Sequence, residues 1–180
     1  WAFVKCKSEL VRWFDENQRL ILVTEVLFLT AFGSMAFVRA ANPEIVGTEK
    51  PMELMFINGI MNSPTFPPRD LWLSGYAISY YHFGYVMASM LALFTGVPAT
   101  LAFNLMIALI FGLSAVGAYG ILYNLLAARG SQMADRQSEI ENHQSSIVNR
   151  QSSIFSSLLA PLFLLIVSNV EGFLEVLRSK

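Results

Sequence analysis

The sequence is short of charge. Only 14% of its 180 residues are Asp, Glu, Lys or Arg, and the formal net charge is −1. Ordinary soluble domains carry about 25% charged residues. Because 54% of the residues are hydrophobic, one small core cannot bury them all behind a polar surface. Near-neutral charge also provides none of the basic clusters that bind nucleic acid. These shortages argue against a soluble enzyme and against a nucleic-acid partner.

Cysteine and phosphate-binding motifs are also scarce. Cys6 is the single cysteine, which excludes an internal disulfide framework and a cysteine-rich metal site. A glycine-rich phosphate loop is absent from the sequence, which disfavours a soluble nucleotide-dependent enzyme. No cofactor is evident, although a requirement for a divalent metal stays open. Because the chain begins with Trp1 rather than Met, we expect it to be part of a longer protein.

Long apolar runs are what the sequence has in abundance. Residues 71–128 contain no Asp, Glu, Lys or Arg, which is a run of 58 residues. A spanning helix needs about 20 apolar residues to cross roughly 30 Å of hydrocarbon, so this run suits two helices. A Gly-Val-Pro sequence beginning at Gly96 interrupts it. The pattern therefore predicts one span over about 72–95 and another over about 100–126.

Two further apolar stretches predict spans over about 20–38 and 154–170. Together the four stretches predict an all-α fold, a polytopic transmembrane helical bundle with about four spanning helices. Glu25 lies inside the first stretch. Because charge at membrane depth is costly, Glu25 is a functional candidate. Residues 1–19 mix aromatic, aliphatic and basic side chains, which favours an interfacial N-terminal flank.

A short repeat separates the third span from the fourth. Three consecutive seven-residue units occupy residues 135–155. Each unit repeats one apolar position cleanly, whereas a coiled coil needs two, so the polar composition predicts a flexible connector. The predicted organisation is, in chain order, an interfacial flank over 1–19, a membrane domain over 20–128 with a loop over 39–71, a connector over 129–153, and a fourth span with a charged flank over 154–180.

Lysine and arginine are nearly balanced between the two sides of this arrangement. A weak excess at the N-terminal side predicts a cytoplasmic N-terminus. We therefore expect a multi-pass protein of the cell membrane whose 39–71 loop faces outward. Its expected partners are the lipid bilayer and the remaining helices of the longer chain.

The outward loop contains its own helix signal. Pro51 suits the first position of a helix, and Glu53 in the first turn complements the helix dipole. These residues predict a short amphipathic helix over Pro51–Met61 that lies along the membrane. Its predicted apolar face consists of Met52, Met55, Phe56 and Ile60. Three further prolines before Asp70 predict an extended return to the second span.

Charged side chains in the same loop are the first candidates for a site. The loop supplies the carboxylates of Glu44, Glu49, Glu53 and Asp70 and the cations of Arg39, Lys50 and Arg69. A carboxylate acts as a general base when it lies within hydrogen-bond reach of its proton donor. The Glu49-Lys50 pair has the least obvious structural purpose.

Polar aromatic residues follow at the start of the predicted second span. Trp72 and Tyr85 suit an aromatic belt at the lipid–water boundary. The sequence Tyr80-Tyr81-His82 is denser than such anchoring requires. Residues 79 and 82 lie three apart, which predicts that the hydroxyl of one and the imidazole of the other share a helix face.

Several segments together resemble a known family. They are Glu49-Lys50-Pro51-Met52-Glu53, Phe56-Ile57-Asn58, Phe66-Pro67-Pro68 with Asp70 and Trp72, Gly75, Tyr80-Tyr81-His82-Phe83-Gly84, Ala102-Phe103-Asn104 and Asn169-Val170-Glu171-Gly172. In order and spacing they resemble the "YYY" family of bacterial and archaeal integral membrane proteins, a domain of unknown function. The resemblance covers roughly residues 25–177. His82 stands where the family's third tyrosine is expected, and Glu53 stands where an Asp is usual.

That family is more remotely similar to membrane glycosyltransferases of the C type (GT-C). The resemblance implies transfer of a sugar from a polyprenyl-phosphate lipid donor, with an acidic residue in the first outward loop. It implies Glu49 as the first choice for catalytic base and Asp70 as the second. It also implies substrate binding by the neighbouring polar residues, which are Lys50, Arg69, Tyr80, Tyr81 and His82. Enzymes of this type have more spans than the present chain.

A non-enzymatic membrane protein remains the alternative. A transporter predicts ionisable groups deep in several spans, whereas Glu25 is the one such group here. An assembly scaffold predicts that removing the loop charges changes assembly alone. The sequence therefore leaves a glycosyltransferase, a scaffold and part of a transporter as alternatives.

Overall fold

The computed structural model describes residues 7–73, 75–80, 82–137 and 152–166, and their regular structure is helical. The four longer helices are α1 (Lys7–Ala41), α2 (Lys50–Asn62), α3 (Phe83–Thr95) and α4 (Ala99–Gln137). A further helical segment covers Ser152–Leu165. These described residues contain no β-strand beyond one isolated antiparallel bridge between Arg69 and Ala77. The all-α prediction is confirmed.

Helix α1 runs without a break from Lys7, within the predicted flank, through the predicted first span. Neither glycine nor proline occurs between Lys7 and Phe32, so nothing in the backbone ends the helix near residue 19. The Arg12 and Glu16 side chains, one turn apart, approach to 3.8 Å on its exposed surface. The part of α1 over Glu9–Ala41 is long and apolar enough to cross a membrane.

Helix α4 is the second helix of spanning length, over Ala99–Arg129. It continues to Gln137, so the first residues of the predicted connector are helical. The remainder of the repeat, residues 138–151, lies outside the described residues. The last helical segment changes form along its length, because a turn at 157–158 precedes a π-helical stretch over Leu162–Ile166. Residues 167–170 of the predicted fourth span also lie outside the described residues.

The predicted second span, 72–95, differs most from the structure. Its helix, α3, begins at Phe83 and has 13 residues. Such a helix rises about 20 Å, which is short of the roughly 30 Å of hydrocarbon. Two helices of spanning length and two shorter apolar ones thus stand where the sequence predicts about four spans.

A closed loop occupies the place of the missing helical turns. We call residues 69–77 the Trp72 loop; Ser74 within it lies outside the described residues. Asp70 holds the loop, because its Oδ1 accepts the backbone N–H groups of Trp72 at 2.8 Å and Leu73 at 2.9 Å. Gly75 has a φ of +92°, which glycine adopts without strain. These local bonds outcompete the helix predicted from apolar composition alone.

The chain divides into two compact units, residues 33–110 and the rest. In the first unit, α2 packs on α3. One buried cluster joins Ile57 of α2 and Ala88 of α3 to Ala99 and Phe103 in the first turns of α4. The Ser89 hydroxyl, fully buried, adds a hydrogen bond of 3.3 Å to the Ile57 carbonyl. Helices α2 and α3 thus form one layer against the start of α4.

The apolar face predicted for α2 exists, but it covers protein. Met52, Met55, Phe56 and Ile60 all belong to a second cluster, which also contains Ile78, Tyr80, Tyr85 and Val86. Helix α2 was expected to lie along the membrane. It instead packs its apolar face on α3 and on the chain that leads into α3. Burial against these neighbours removes the same apolar surface from water that a membrane would.

In the other unit, α1 and α4 meet at a glycine. A Cβ built on Gly112 of α4 would lie 3.0 Å from the ring of Phe28 and 3.3 Å from the Cβ of Phe32. The two phenylalanine rings stack with centroids 5.9 Å apart. Ala115 and Tyr119, one and two turns further along, are also buried. Small residues on one face of α4 therefore let α1 approach closely.

Candidate functional site

The catalytic and substrate-binding residues that the resemblance implies all lie in residues 42–98, between α1 and α4. Arg39 near the end of α1 holds the two ends of this segment together, because its Nε donates to the Asn104 Oδ1 of α4 at 2.8 Å. Its Nη2 donates to the same oxygen and, at 3.1 Å, to the Glu44 carbonyl. The Asn104 Nδ2 donates to the Pro43 carbonyl at 3.3 Å. The segment therefore leaves α1 and re-enters α4 at neighbouring points.

Glu49 occupies the residue before α2. Gly47 and Thr48 turn the chain there with φ values of +81° and +41°. The Glu49 carbonyl accepts the Glu53 N–H at 2.9 Å, but the Glu49 side chain makes no capping hydrogen bond and is exposed. Lys50, the first helical residue, is half-buried beside it. The Glu49 carboxylate is thus free to meet a ligand, as a general base requires.

Asp70 has different surroundings. Its carboxylate accepts the two N–H groups that close the Trp72 loop, and its own N–H donates to the Tyr76 carbonyl at 3.0 Å. Arg69, beside it, has an exposed side chain, while its backbone forms the bridge to Ala77. Asp70 therefore has a structural role in the loop. As a catalytic base it would have to act while it keeps these hydrogen bonds.

Tyr80 and His82 lie before α3 rather than on it. The Tyr80 ring stacks on Phe56 of α2 with centroids 5.6 Å apart. The His82 Nδ1 lies 2.9 Å from the Tyr80 carbonyl. Because a carbonyl only accepts, Nδ1 carries the hydrogen, and Nε2 of the neutral ring is then an acceptor. His82 precedes the first helical residue, so the shared helix face predicted for Ser79 and His82 is wrong. Tyr81 lies outside the described residues.

These residues lie at different heights along α2. Lys50 is at the start of the helix, whereas a Cβ on Gly59 would lie 3.2 Å from the Arg69 carbonyl. Nine residues of α-helix rise about 14 Å, so the Trp72 loop and Glu49 are at opposite ends of α2. Tyr80 lies between them, beside Phe56. The geometry separates the two carboxylates that the resemblance groups together.

Two polar contacts were missed at the sequence level. The Tyr85 hydroxyl donates to the Glu53 Oε1 at 3.3 Å, which links α3 to α2. The hydrogen bonds between Arg39 and Asn104 join residues that are 65 positions apart. In the sequence, Arg39 directly follows the first predicted span and Asn104 lies near the start of the third.

Metal ligation was not predicted at this site. Within the described residues there is no group of three or more His, Cys, Asp or Glu side chains that could hold a metal ion.

Comparison with known proteins gives one match. A family model described as "Uncharacterized membrane protein (DUF2298)" matches residues 1–180. No curated protein and no solved structure matches the chain. The match confirms the coarser part of the resemblance, a family of membrane proteins without an assigned activity. It does not extend to the GT-C glycosyltransferases.

Proposed function

The chain belongs to the DUF2298 family of uncharacterized membrane proteins, and we propose that it is the N-terminal, membrane-embedded part of a glycosyltransferase that uses a polyprenyl-phosphate-linked sugar. The observation that carries the proposal is the exposed Glu49 carboxylate, which stands beside Lys50 and makes no capping hydrogen bond to α2. Its oxygens are not engaged by the first turn of α2. Glu49 is therefore the carboxylate of this segment best suited to a substrate.

The arrangement of the long helices supports the proposal. Helices α1 and α4 have the length to cross a membrane, and Arg39 and Asn104 join the end of one to the start of the other. If both cross, residues 42–98 lie on one side of the membrane. With a cytoplasmic N-terminus, that side faces outward, where a polyprenyl-linked donor is used. This topology replaces the first three predicted crossings with two crossings and a folded segment between them.

The proposed step is a displacement at the anomeric carbon of the donor sugar. Glu49 takes the proton of an acceptor hydroxyl while the hydroxyl oxygen forms the new bond to the anomeric carbon. The bond between that carbon and the phosphate oxygen breaks, and polyprenyl phosphate leaves with the electron pair. The Lys50 ammonium stabilises the phosphate charge as it develops. No oxidant or reductant enters the balance.

The other proposed residues have secondary roles. Arg69, exposed at the base of the Trp72 loop, binds a lipid phosphate at the other end of α2 from Lys50. Tyr80 and His82 present a phenol and a ring nitrogen on the chain between that loop and α3. We rank Asp70 below Glu49 as the base, because its carboxylate already accepts two backbone N–H groups.

The test is Glu49→Gln in the full-length protein, assayed for sugar transfer from a polyprenyl-phosphate donor to water or to an added acceptor. General bases contribute about 10²- to 10⁴-fold, so we expect a loss of at least about 100-fold with normal membrane insertion. Glu44→Gln is the matched control, because Glu44 is an exposed carboxylate of the same segment.

Equal activity of the two variants would remove the proposed role of Glu49. Absence of donor turnover in the unaltered protein would leave the alternative, a membrane scaffold or part of a transporter.

A further inference from the structure

The Trp72 loop is a rigid loop with an apolar tip. Its base is fixed by the Arg69–Ala77 bridge and by the Ile78 N–H, which donates to the Pro68 carbonyl at 3.0 Å. Its tip is fixed by the Asp70 carboxylate, and the Tyr76 N–H donates to the Leu73 carbonyl at 3.2 Å. The backbone at the tip is therefore held by bonds that do not depend on burial of its side chains.

Those side chains are large, apolar and exposed. Leu71, Trp72 and Leu73 are consecutive, with 55%, 67% and 60% of their surfaces exposed. Tyr76 on the return side is also exposed. Single exposed apolar residues need no explanation, but a contiguous group of this kind marks a surface that meets something apolar. Asp70 is the only carboxylate in the sequence of this loop, and it accepts the two N–H groups that fix the tip.

The layer that carries the loop lies directly beside a spanning helix. Ile57 of α2 and Ala88 of α3 pack on Phe103 of α4, and Met106 and Ile107 of α4 pack against the same cluster. The candidate span Ala99–Arg129 has 31 residues, whereas about 20 suffice to cross. About the first ten residues of α4 can therefore stand outside the hydrocarbon with the α2–α3 layer around them. The Trp72 loop is then within reach of the membrane surface.

We propose that the Trp72 loop inserts Trp72 and Leu73 into the interfacial region of the bilayer that α1 and α4 span, while the Leu71 side chain packs beside Gly59 of α2. Tryptophan and tyrosine favour this region, where the ring meets acyl chains and its N–H or hydroxyl meets water. Arg69, exposed at the base of the loop, lies at the level where lipid phosphates accept hydrogen bonds. The bilayer is the favoured occupant because α4, on whose first turns this layer packs, is long and apolar enough to cross a membrane.

Insertion gives the loop a task in the molecule. It anchors the far end of α2 at the membrane, while Arg39 and Asn104 anchor the ends of the segment at α1 and α4. The inference rests on the proposed topology but not on the proposed reaction.

The test uses the full-length protein in nanodiscs of phosphatidylethanolamine and phosphatidylglycerol, with Cys6→Ser and any other native cysteine replaced. Trp72→Cys carries an environment-sensitive nitrobenzoxadiazole probe. Lipids with a doxyl quencher at carbon 5 or carbon 12 report its depth. We expect blue-shifted emission that the carbon-5 quencher reduces more than the carbon-12 quencher does. Asn62→Cys, exposed at the end of α2, is the control and should emit as in water.

Leu73→Cys repeats the measurement in case Trp72→Cys does not fold. Water-like emission at position 72 or 73 would overturn the proposal, because the tip would then be solvated. Blue-shifted emission without lipid quenching would overturn it as well, because protein would then cover the tip. Stronger quenching from carbon 12 would place these residues in the hydrocarbon core and restore the predicted second span. None of these outcomes depends on sugar transfer, so they are distinct from failure of the proposed function.

Discussion

Glu49 and Asp70 are carboxylates of the same segment with opposite surroundings. Glu49 precedes a helix without capping it, whereas Asp70 accepts two backbone N–H groups within its own loop. A carboxylate is well suited to hold a turn in this way, since its oxygen replaces the backbone acceptor that the turn lacks. The sequence presents both residues in the same way, as carboxylates of one loop. Only the local geometry in the structure distinguishes their roles.

Asp70→Ala is expected to loosen the Trp72 loop. Loss of the two hydrogen bonds to a charged oxygen should cost about 1–3 kcal/mol locally. Hydrogen exchange of the Trp72 and Leu73 amides should therefore speed up about 5- to 100-fold. Asp70→Asn keeps an oxygen acceptor and is the matched control, with much of the protection retained. Equal protection in Asp70→Ala and the unaltered protein would contradict the structural role of this carboxylate.

Single residues were predictable where their role is local. The first-turn position of Pro51 follows from the chain on either side. The pairing of Arg39 with Asn104 does not, because the two residues lie 65 positions apart. His82 was placed on a helix because apolar composition does not reveal the turn before α3.

At the scale of elements, α2 was predicted almost to its ends and α3 was not. The prediction for α2, Pro51–Met61, differs by one residue at each end from Lys50–Asn62, since proline opens the helix and further prolines follow it. The second predicted span relied on a charge-free run. Such a run measures hydrophobicity but not backbone conformation, and it begins immediately after Asp70, the residue that organises the loop.

The contact between α1 and α4 yields a prediction at this scale. Gly112→Ala should lower the thermal unfolding temperature, because its Cβ would stand 3.0 Å from the Phe28 ring. Overpacking of this kind costs about 1–3 kcal/mol. Gly117→Ala in the same helix has nothing within 4 Å of its Cβ and should be neutral or stabilising by up to about 1 kcal/mol.

Unfolding of both variants is followed by differential scanning fluorimetry in detergent. A Gly112→Ala protein as stable as the Gly117→Ala protein would show that α1 and α4 do not approach closely at this glycine.

At the scale of the whole molecule, composition predicted a membrane protein, and the family match agrees. Composition alone could not predict how many times the chain crosses the membrane. An apolar helix buried between other helices and an apolar helix in lipid have the same sequence character, since both lose contact with water. Helix length adds what composition lacks, because α3 has 13 residues and about 20 are needed to cross the hydrocarbon as one helix.

The two topologies make different predictions for cysteines at the ends of the α2–α3 layer. Asn62→Cys and Thr95→Cys are exposed positions on either side of α3. With residues 42–98 on one side, a membrane-impermeant maleimide should label both in intact cells, in a background with Cys6→Ser. In the unaltered chain Cys6, which precedes α1, should be labelled after lysis only. Labelling of Asn62→Cys and Thr95→Cys from opposite sides would show that α3 crosses the membrane.

The hydrogen bonds between Arg39 and Asn104 have a consequence for the evolution of such a chain. They bring together two points that are separated by the whole of residues 42–98. A segment whose ends meet can be lengthened, exchanged or deleted without rerouting the rest of the polypeptide. Residues 42–98 are in this sense a cassette set into a helical hairpin. Grafting that cassette between two other helices, or closing the hairpin with a short linker, would separate membrane anchoring from whatever chemistry the cassette performs.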